Sequence, residues 1–195
     1  TPGDFVLIDQ FIDRTYLREK SFFGKGCVAH VSLAHPTCNN FSKVIFEIGK
    51  KLQIKVQLGG TYMTMEGPQF STLAESKLYK DNWKCDVIGM TNMPEAKLAK
   101  EAEICYTSLS MVTDFDCWHP DHDSVEVSDI IETLTNNSSK AQRIIETLPE
   151  FLKSNKDLCS LGCNNALDNA IITAPEKRDP KVLKTLDVLL QRLNK

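Results

Sequence analysis

Residues 86–116, DVIGMTNMPEAKLAKEAEICYTSLSMVTDFD, decide how the chain is read. The opening DVIGM fits a short buried strand, and it passes through Thr91-Asn92 into a helix opened by Pro94-Glu95. Proline suits the first helical turn, and an acid suits the positive end of the helix dipole. The second half, ICYTSLSMVTDFD, reads as another strand ending in two aspartates at i and i+2. Alternate side chains of an extended backbone share a face, so Asp114 and Asp116 are expected to converge at the carboxyl end of that strand. Open α/β sheets hold their ligands there.

Composition frames this reading. With 195 residues, 42% hydrophobic and 25% charged, the chain is long enough for one sizeable core and is expected to form a single domain over residues 1–195. A net charge of -3 and a pI near 5.8 give no basic footprint for nucleic acid. No run has the length and apolarity of a membrane span, and TPGDFVLIDQF lacks the basic start of a signal peptide. The expected location is the cytosol or nucleus. Of seven cysteines, Cys27, Cys38, Cys85, Cys105 and Cys117 are scattered without metal-ligand spacing and are expected to be reduced thiols. Cys159 and Cys163 in CSLGC form the one close pair, either a loop with two small apolar residues or a regulatory disulfide.

Outward from the central stretch, Phe5-Val6-Leu7-Ile8 is a continuous apolar run of the kind buried on both faces of a sheet. Residues 14–25 are polar and glycine-bearing, hence a loop. Phe41, Val44, Ile45, Ile48 and Leu52 form one helical stripe, followed by a short strand up to Leu58 and then Gly59-Gly60. GGTYMTMEGPQFSTLAES reads as a strand and tight turn into a helix started by Ser71 or Thr72 ahead of Glu75. Gly67-Pro68 would let backbone approach a ligand, with Phe70 at the lip. A long helical segment carries Val127, Ile130, Ile131 and Leu134, then Ile144, Ile145, Leu148 and Leu152. Within it, Asn136-Asn137-Ser138-Ser139 holds two glycosylation sequons, expected to be a solvated face or a kink. A single amphipathic helix from Val182 to Leu193 closes the chain. Strands alternating with amphipathic helices predict an α/β fold with a twisted mixed central sheet.

Two carboxylates on one strand edge repel each other, so one of them would hold a proton more readily. Such a pair both accepts and donates hydrogen bonds, as an adenine-type ring requires; alternatively the two aspartates cap the Trp118 loop. No phosphate-cradling glycine loop, zinc spacing or nucleophile elbow is present.

PGDFVLIDQFIDRT, EGPQFSTLAES, VIGMTNMPEAKLAKEAEICY and TDFDCW, in this order, resemble the trimeric purine nucleoside phosphorylases, in particular their methylthioadenosine-cleaving branch. The resemblance runs from Pro2 to about Leu152. It implies a nucleoside phosphorylase-like three-layer αβα sandwich. It also implies phosphorolysis of 5'-methylthioadenosine to adenine and 5-methylthioribose-1-phosphate, with inorganic phosphate as co-substrate and no metal or other cofactor. By position, Phe70 would lie against the purine, Met90 against the ribose, Ile88 would be a further substrate-binding residue, and Thr91 would donate to phosphate. Asp114 and Asp116 would hold N7 and the 6-amino group of the leaving base. Val127, Ile130 and Ile131 would line the pocket for the 5' substituent, and His30 would be inserted into a neighbouring subunit's site in a homotrimer. His30 can also be read as a plain surface or core histidine.

Relatives acting on 6-oxopurines carry glutamate and asparagine where this chain has Ser71 and Asp114, and histidine where it has Val127, so the resemblance favours 6-aminopurines. Gly89 departs from the branch, which usually has asparagine there. The glycine keeps open an oxopurine phosphorylase as an alternative. The family's N-terminal phosphate-binding segment has no counterpart before Thr1. The chain is therefore expected to be the C-terminal two thirds of the enzyme, poorly soluble or inactive alone because β-strand 5–8 loses its neighbours. A catalytically inactive nucleoside-binding or trimer-forming subunit is the corresponding alternative.

Overall fold

The computed structural model describes residues 1–120, 127–154 and 159–193. Its framework is a long strand interrupted once, as β1 (Phe5–Ile8) and β2 (Gln10–Asp13). β1 lies between β3 (Val56–Leu58), which is parallel to it, and β6 (Ser108–Met111), which is antiparallel. β2 pairs in parallel with β4 (Thr61–Thr64), and β4 with β5 (Val87–Gly89). Phe5 is opposite Val56 and Gln10 opposite Thr61, so one register offset of 51 residues runs through both pairs. The break falls at Asp9, whose carboxylate accepts from Gly60 N at 3.1 Å, and at Gly59, whose N donates to Leu7 O at 2.9 Å. Gly59 has φ +86°, a conformation open to glycine at little cost. The single mixed sheet expected from sequence therefore resolves into two three-stranded ladders, β3-β1-β6 and β2-β4-β5.

Every β1 side chain is at most 6% exposed. Phe5 and Leu7 point to one face, where they meet Ile45 and Ile48 of α1 (Asn39–Lys51) and Ile144 of α4 (Val127–Ser154). Val6 and Ile8 point to the other and pack with Tyr62. The expected loss of neighbours at this strand does not occur, because β3 and β6 flank it on both sides. In α1 the apolar stripe faces inward, and full burial of a side chain such as Ile48 contributes about 2 kcal/mol.

α2 (Leu73–Lys77) starts at Thr72, not Ser71. Thr72 Oγ1 accepts from Glu75 N at 3.3 Å, and the Glu75 carboxylate accepts from Thr72 N at 2.9 Å, a reciprocal cap. A single π-type turn, Leu78–Asn82, prolongs it. α3 (Glu95–Glu101) has Pro94 just outside its first turn and Glu95 within it. In α4, Ile144 is buried at 2% exposure, whereas Ile131, Leu134 and Ile145 face outward at 58%, 44% and 66%. Asn137 is not on a solvated face: it is fully buried, and its Nδ2 donates to Val112 O at 3.1 Å, pinning α4 to the segment that leaves β6. The expected C-terminal helix is two, α5 (Pro180–Thr185) and α6 (Asp187–Leu190). The chain leaves helical geometry at Leu186, and Leu186 and Leu190 pack onto Phe23, Cys27 and Leu167. Among the described residues no helix is long and apolar enough to cross a membrane.

Residues 14–25 form the expected loop, tied down by charge. Arg18 donates to the Glu66 carboxylate at 3.2 Å and to the carbonyls of Glu66 and Met93, while Glu66 also accepts from Leu17 N at 3.0 Å. Asp13, at the end of β2, receives Lys97 from α3, Lys20 at 3.2 Å, and the hydroxyl and N–H of Thr15. Burial opposes ionisation of Asp13, but the hydrogen bonds from Lys97, Thr15 and Lys20 outweigh it and hold the carboxyl well below the usual range. A depressed carboxylate pKa contributes stability that is fully present above the unfolded value of about 4 and is lost as pH falls below it. Asp13→Asn is accordingly expected to cost about 2 kcal/mol near neutral pH. The deficit should shrink below about pH 4 in urea melts taken across the acid range; a constant deficit would show that the carboxylate charge is not what stabilises this corner.

Candidate active site

A cleft of about 550 Å³ opens on the Val6 side of the sheet. Three segments supply most of its wall: Val87-Ile88-Gly89-Met90 along and beyond β5, Met111 to Asp116 leaving β6, and Ser76, Tyr79 and Lys80 from α2 and the turn after it. Phe70 stands at the lip, 82% exposed, and Trp118 closes one side beneath the ammonium of Lys80.

Asp114 and Asp116 both line the cleft, as expected, but not by strand alternation. β6 ends at Met111, and the aspartates follow in irregular backbone. Because β6 is antiparallel to β1, its exit lies beside Phe5 and not with the carboxyl ends of β2, β4 and β5. The two carboxylates are held by separate donors. Asp114 Oδ1 accepts from Thr113 Oγ1 at 2.5 Å. Asp116 accepts from the Ser76 hydroxyl and, at 2.9 Å, from Cys117 N. Ser76 is 1% exposed and sits one turn after Thr72, so the capped start of α2 fixes the orientation of Asp116. Residue spacing pointed to the aspartates but not to Ser76, whose signal was its place one helical turn beyond a capping box.

Met90 and Ile88 line the cleft with Phe70. A Cβ on Gly67, which has φ +76°, would lie 2.7 Å from Met90 Sδ, so the close approach that this glycine permits is to the methionine. Thr91 is exposed just beyond the cleft wall, its hydroxyl 3.0 Å from Tyr62 Oη. Asn92 follows with φ +71°, its side-chain oxygen accepting from Tyr106 Oη at 2.8 Å. Burial, with Glu95 adding to it, pushes the Tyr106 phenol up to about 12, so it stays a donor around neutral pH and holds the turn that presents Thr91.

Other expected residues are not brought here. Ile130 and Ile131 are absent from the cleft wall, Ile131 facing solvent; the side chain of Val127 lies outside the described residues. His30 is exposed, on a segment whose N–H donates to Ala170 O at 2.8 Å, and does not line the cleft of its own chain.

Gly89 has a structural cause. A Cβ there would lie 2.0 Å from Tyr62 Oη, and Tyr62 is 4% exposed, packed with Val6, Ile8 and Phe11. Adding even a methyl group must displace the ring or the strand, an overpacking cost of about 1–3 kcal/mol. Gly89→Ala is expected to lower the thermal midpoint and to move the Tyr62 hydroxyl off Thr91. Adding Tyr62→Phe should recover part of the stability, since the oxygen at 2.0 Å is gone while the ring carbon at 2.9 Å remains; a double variant no more stable than Gly89→Ala would place the strain elsewhere.

Residues 1–150 match the family model described as the phosphorylase superfamily. The chain is 59% identical over 194 residues to the S-methyl-5'-thioadenosine phosphorylase of Cereibacter sphaeroides, covering all of this chain and 67% of that one. It is 56% identical over 192 residues to the enzyme of the same name from Bradyrhizobium diazoefficiens, covering 98% and 66%. Among solved structures it superposes with TM-score 0.90 and 41% identity on a methylthioadenosine phosphorylase from an antarctic soil metagenomic library, covering 97% and 66%. A methylthioadenosine phosphorylase from Schistosoma mansoni in complex with adenine matches with TM-score 0.70 and 29% identity over 80% and 65%. The chain thus spans about two thirds of the length of each of these relatives. With its mixed α/β architecture and the cleft between β5 and the β6 exit, it belongs to the phosphorylase superfamily and has the nucleoside phosphorylase fold.

Proposed function

We propose that this chain supplies the nucleoside-binding part of a pentosyltransferase that cleaves 5'-methylthioadenosine with phosphate, giving adenine and 5-methylthioribose-1-phosphate for purine and methionine salvage. The observation that carries the reading is the meeting of Asp114 and Asp116 with Phe70, Ile88 and Met90 in one cleft, in a chain with such close methylthioadenosine phosphorylase relatives.

In this mechanism a phosphate oxygen attacks C1' as the C1'–N9 bond breaks, and the electron pair of that bond leaves with the base. Negative charge grows on the purine and positive charge on the sugar. Asp114, hydrogen-bonded to Thr113, faces N7, where a shared or transferred proton stabilises the departing ring. Asp116, oriented by Ser76, accepts from the 6-amino group. Phe70 covers the purine face and Met90 the ribose, so the reacting atoms are held in line without a covalent enzyme intermediate. Thr91 donates to phosphate. Phosphate is the co-substrate, and the chemistry calls for no metal or organic cofactor. Two carboxylates facing the base would repel the O6 of a 6-oxopurine, and Gly89 loses its weight as an oxopurine feature because the Tyr62 hydroxyl occupies the space beside it.

The enzyme is read as a cytosolic homotrimer acting on small molecules, with neither nucleic acid nor membrane as partner. His30 is exposed and lies outside its own chain's cleft, as a residue lent to a neighbour must be.

Initial rates with methylthioadenosine, adenosine and inosine at saturating phosphate are expected to fall in that order, and dominant inosine cleavage would overturn the reading. Adenine binding by calorimetry without turnover would instead mark a nucleoside-binding subunit. Asp114→Asn, which keeps shape and removes charge, should lower kcat/KM for aminopurines by roughly 30- to 1,000-fold, the equivalent of about 2–4 kcal/mol. Unchanged kinetics would remove Asp114 from the site.

A further inference from the structure

Away from the cleft, four cysteines from three separate parts of the chain come together. The Sγ atoms of Cys38, Cys105, Cys159 and Cys163 all lie within 4.8 Å of one another, and none of the four lines the cleft. Cys38 caps the start of α1 and donates its N–H to Tyr106 O at 2.7 Å, which sets it beside Cys105. Cys159 and Cys163 come from CSLGC, where Gly162 turns the chain with φ +63° and the Cys163 N–H donates to Cys159 Sγ at 3.0 Å. All seven cysteines are thiols in the structure.

We propose that Cys38, Cys105, Cys159 and Cys163 form a structural tetrathiolate site for a divalent soft metal ion, zinc by chemical class. A tetrahedral zinc with bonds of about 2.3 Å sets its four sulfurs about 3.8 Å apart. Mutual separations within 4.8 Å reach that arrangement through small side-chain rotations. Two disulfides would instead draw the sulfurs into pairs and leave the pairs unconnected.

Lys100 supplies an independent observation. It is 7% exposed, and its ammonium lies 3.7 Å from Cys163 Sγ. Among the described residues no carboxylate pairs with it. A buried ammonium facing neutral thiols would be an uncompensated charge, costly in a medium of low polarity. Four thiolates around a divalent cation carry a net double negative charge, which Lys100 offsets in part, and the Cys163 N–H to Cys159 Sγ bond stabilises the thiolate it meets. Donors of this kind around the ligand sulfurs orient and tune metal centres. The metal would fasten the segment leading to α5 and α6 onto the start of α1 and the approach to β6.

The test begins with the unmodified chain, purified under reductant without chelator or added metal. Elemental analysis is expected to find about one zinc per chain. After chelation, cobalt should restore the site with the visible bands and thiolate charge-transfer absorption of tetrahedral sulfur ligation. Removing the metal should lower the thermal midpoint and expose these four cysteines to alkylation. Cys105→Ser and Cys163→Ser should abolish the cobalt spectrum, Cys117→Ser should keep it, and Lys100→Met should keep its shape while weakening the metal by about 10- to 100-fold. Because the cobalt spectrum of the unmodified chain needs no substitution, misfolding of a serine variant leaves the test intact. A metal-free chain that gives no tetrahedral cobalt spectrum would overturn the site, as would an intact mass and peptide map showing these cysteines joined in disulfides under reducing purification.

Discussion

Burial of β1 on both faces is the constraint on which the rest of the structure depends. Phe5 and Leu7 can leave water only if α1 and α4 cover one face, and Val6 and Ile8 only if Tyr62 and its neighbours cover the other. The first demand builds this core, with Ile45, Ile48, Ile54 and Ile144 as its other buried members. The second brings the strand bearing Tyr62 next to β5 and leaves Val6 as part of the cleft wall. A strand with only one buried face would build one of these and not the other.

On this support the cleft is held mostly by polar contacts, since its walls are loops and strand ends. Thr72 and Glu75 fix the start of α2, α2 fixes Ser76, and Ser76 fixes Asp116. On the other side Tyr106 fixes Asn92, and Tyr62 meets the hydroxyl of Thr91. Arg18 and Glu66 fasten the long loop to the backbone on either side of the segment that carries Phe70. The first chain of contacts ends at Asp116 in the cleft, and those from Tyr106 and Tyr62 end at the turn just beyond its wall, so side chains outside the cleft arrange its rim.

Much of this was legible in the sequence where local patterning and tertiary packing agree. The stripe of α1, the apolar run of β1 and a helix start at Ser71 or Thr72 could be read from spacing and residue type, whereas Asp114 and Asp116 reach the cleft in irregular backbone and not through strand alternation. What could not be read depends on the third dimension. The break between the ladders rests on the Asp9 contact with Gly60, residues 51 apart in sequence. The meaning of Gly89 lies in the Tyr62 hydroxyl on a neighbouring strand. The cysteine cluster shows no metal-ligand spacing because its members come from three segments brought together by α1, β6 and the CSLGC turn. Helical periodicity defines a face of α4 and not what lies opposite it: Ile144 meets the core, and Ile131 faces outward.

The buried amide of Asn137 has a practical consequence for production of the protein. Asn137-Ser138-Ser139 is an acceptor sequence for oligosaccharide transfer, and the host machinery acts on the chain before it has folded. A glycan placed on Asn137 at that stage would occupy the space where its amide meets Val112 O and would hold α4 away from the sheet. Routed through a secretory compartment, the polypeptide would thus be trapped by a modification that its native state could never accept, whereas hosts lacking that machinery leave the amide free to dock.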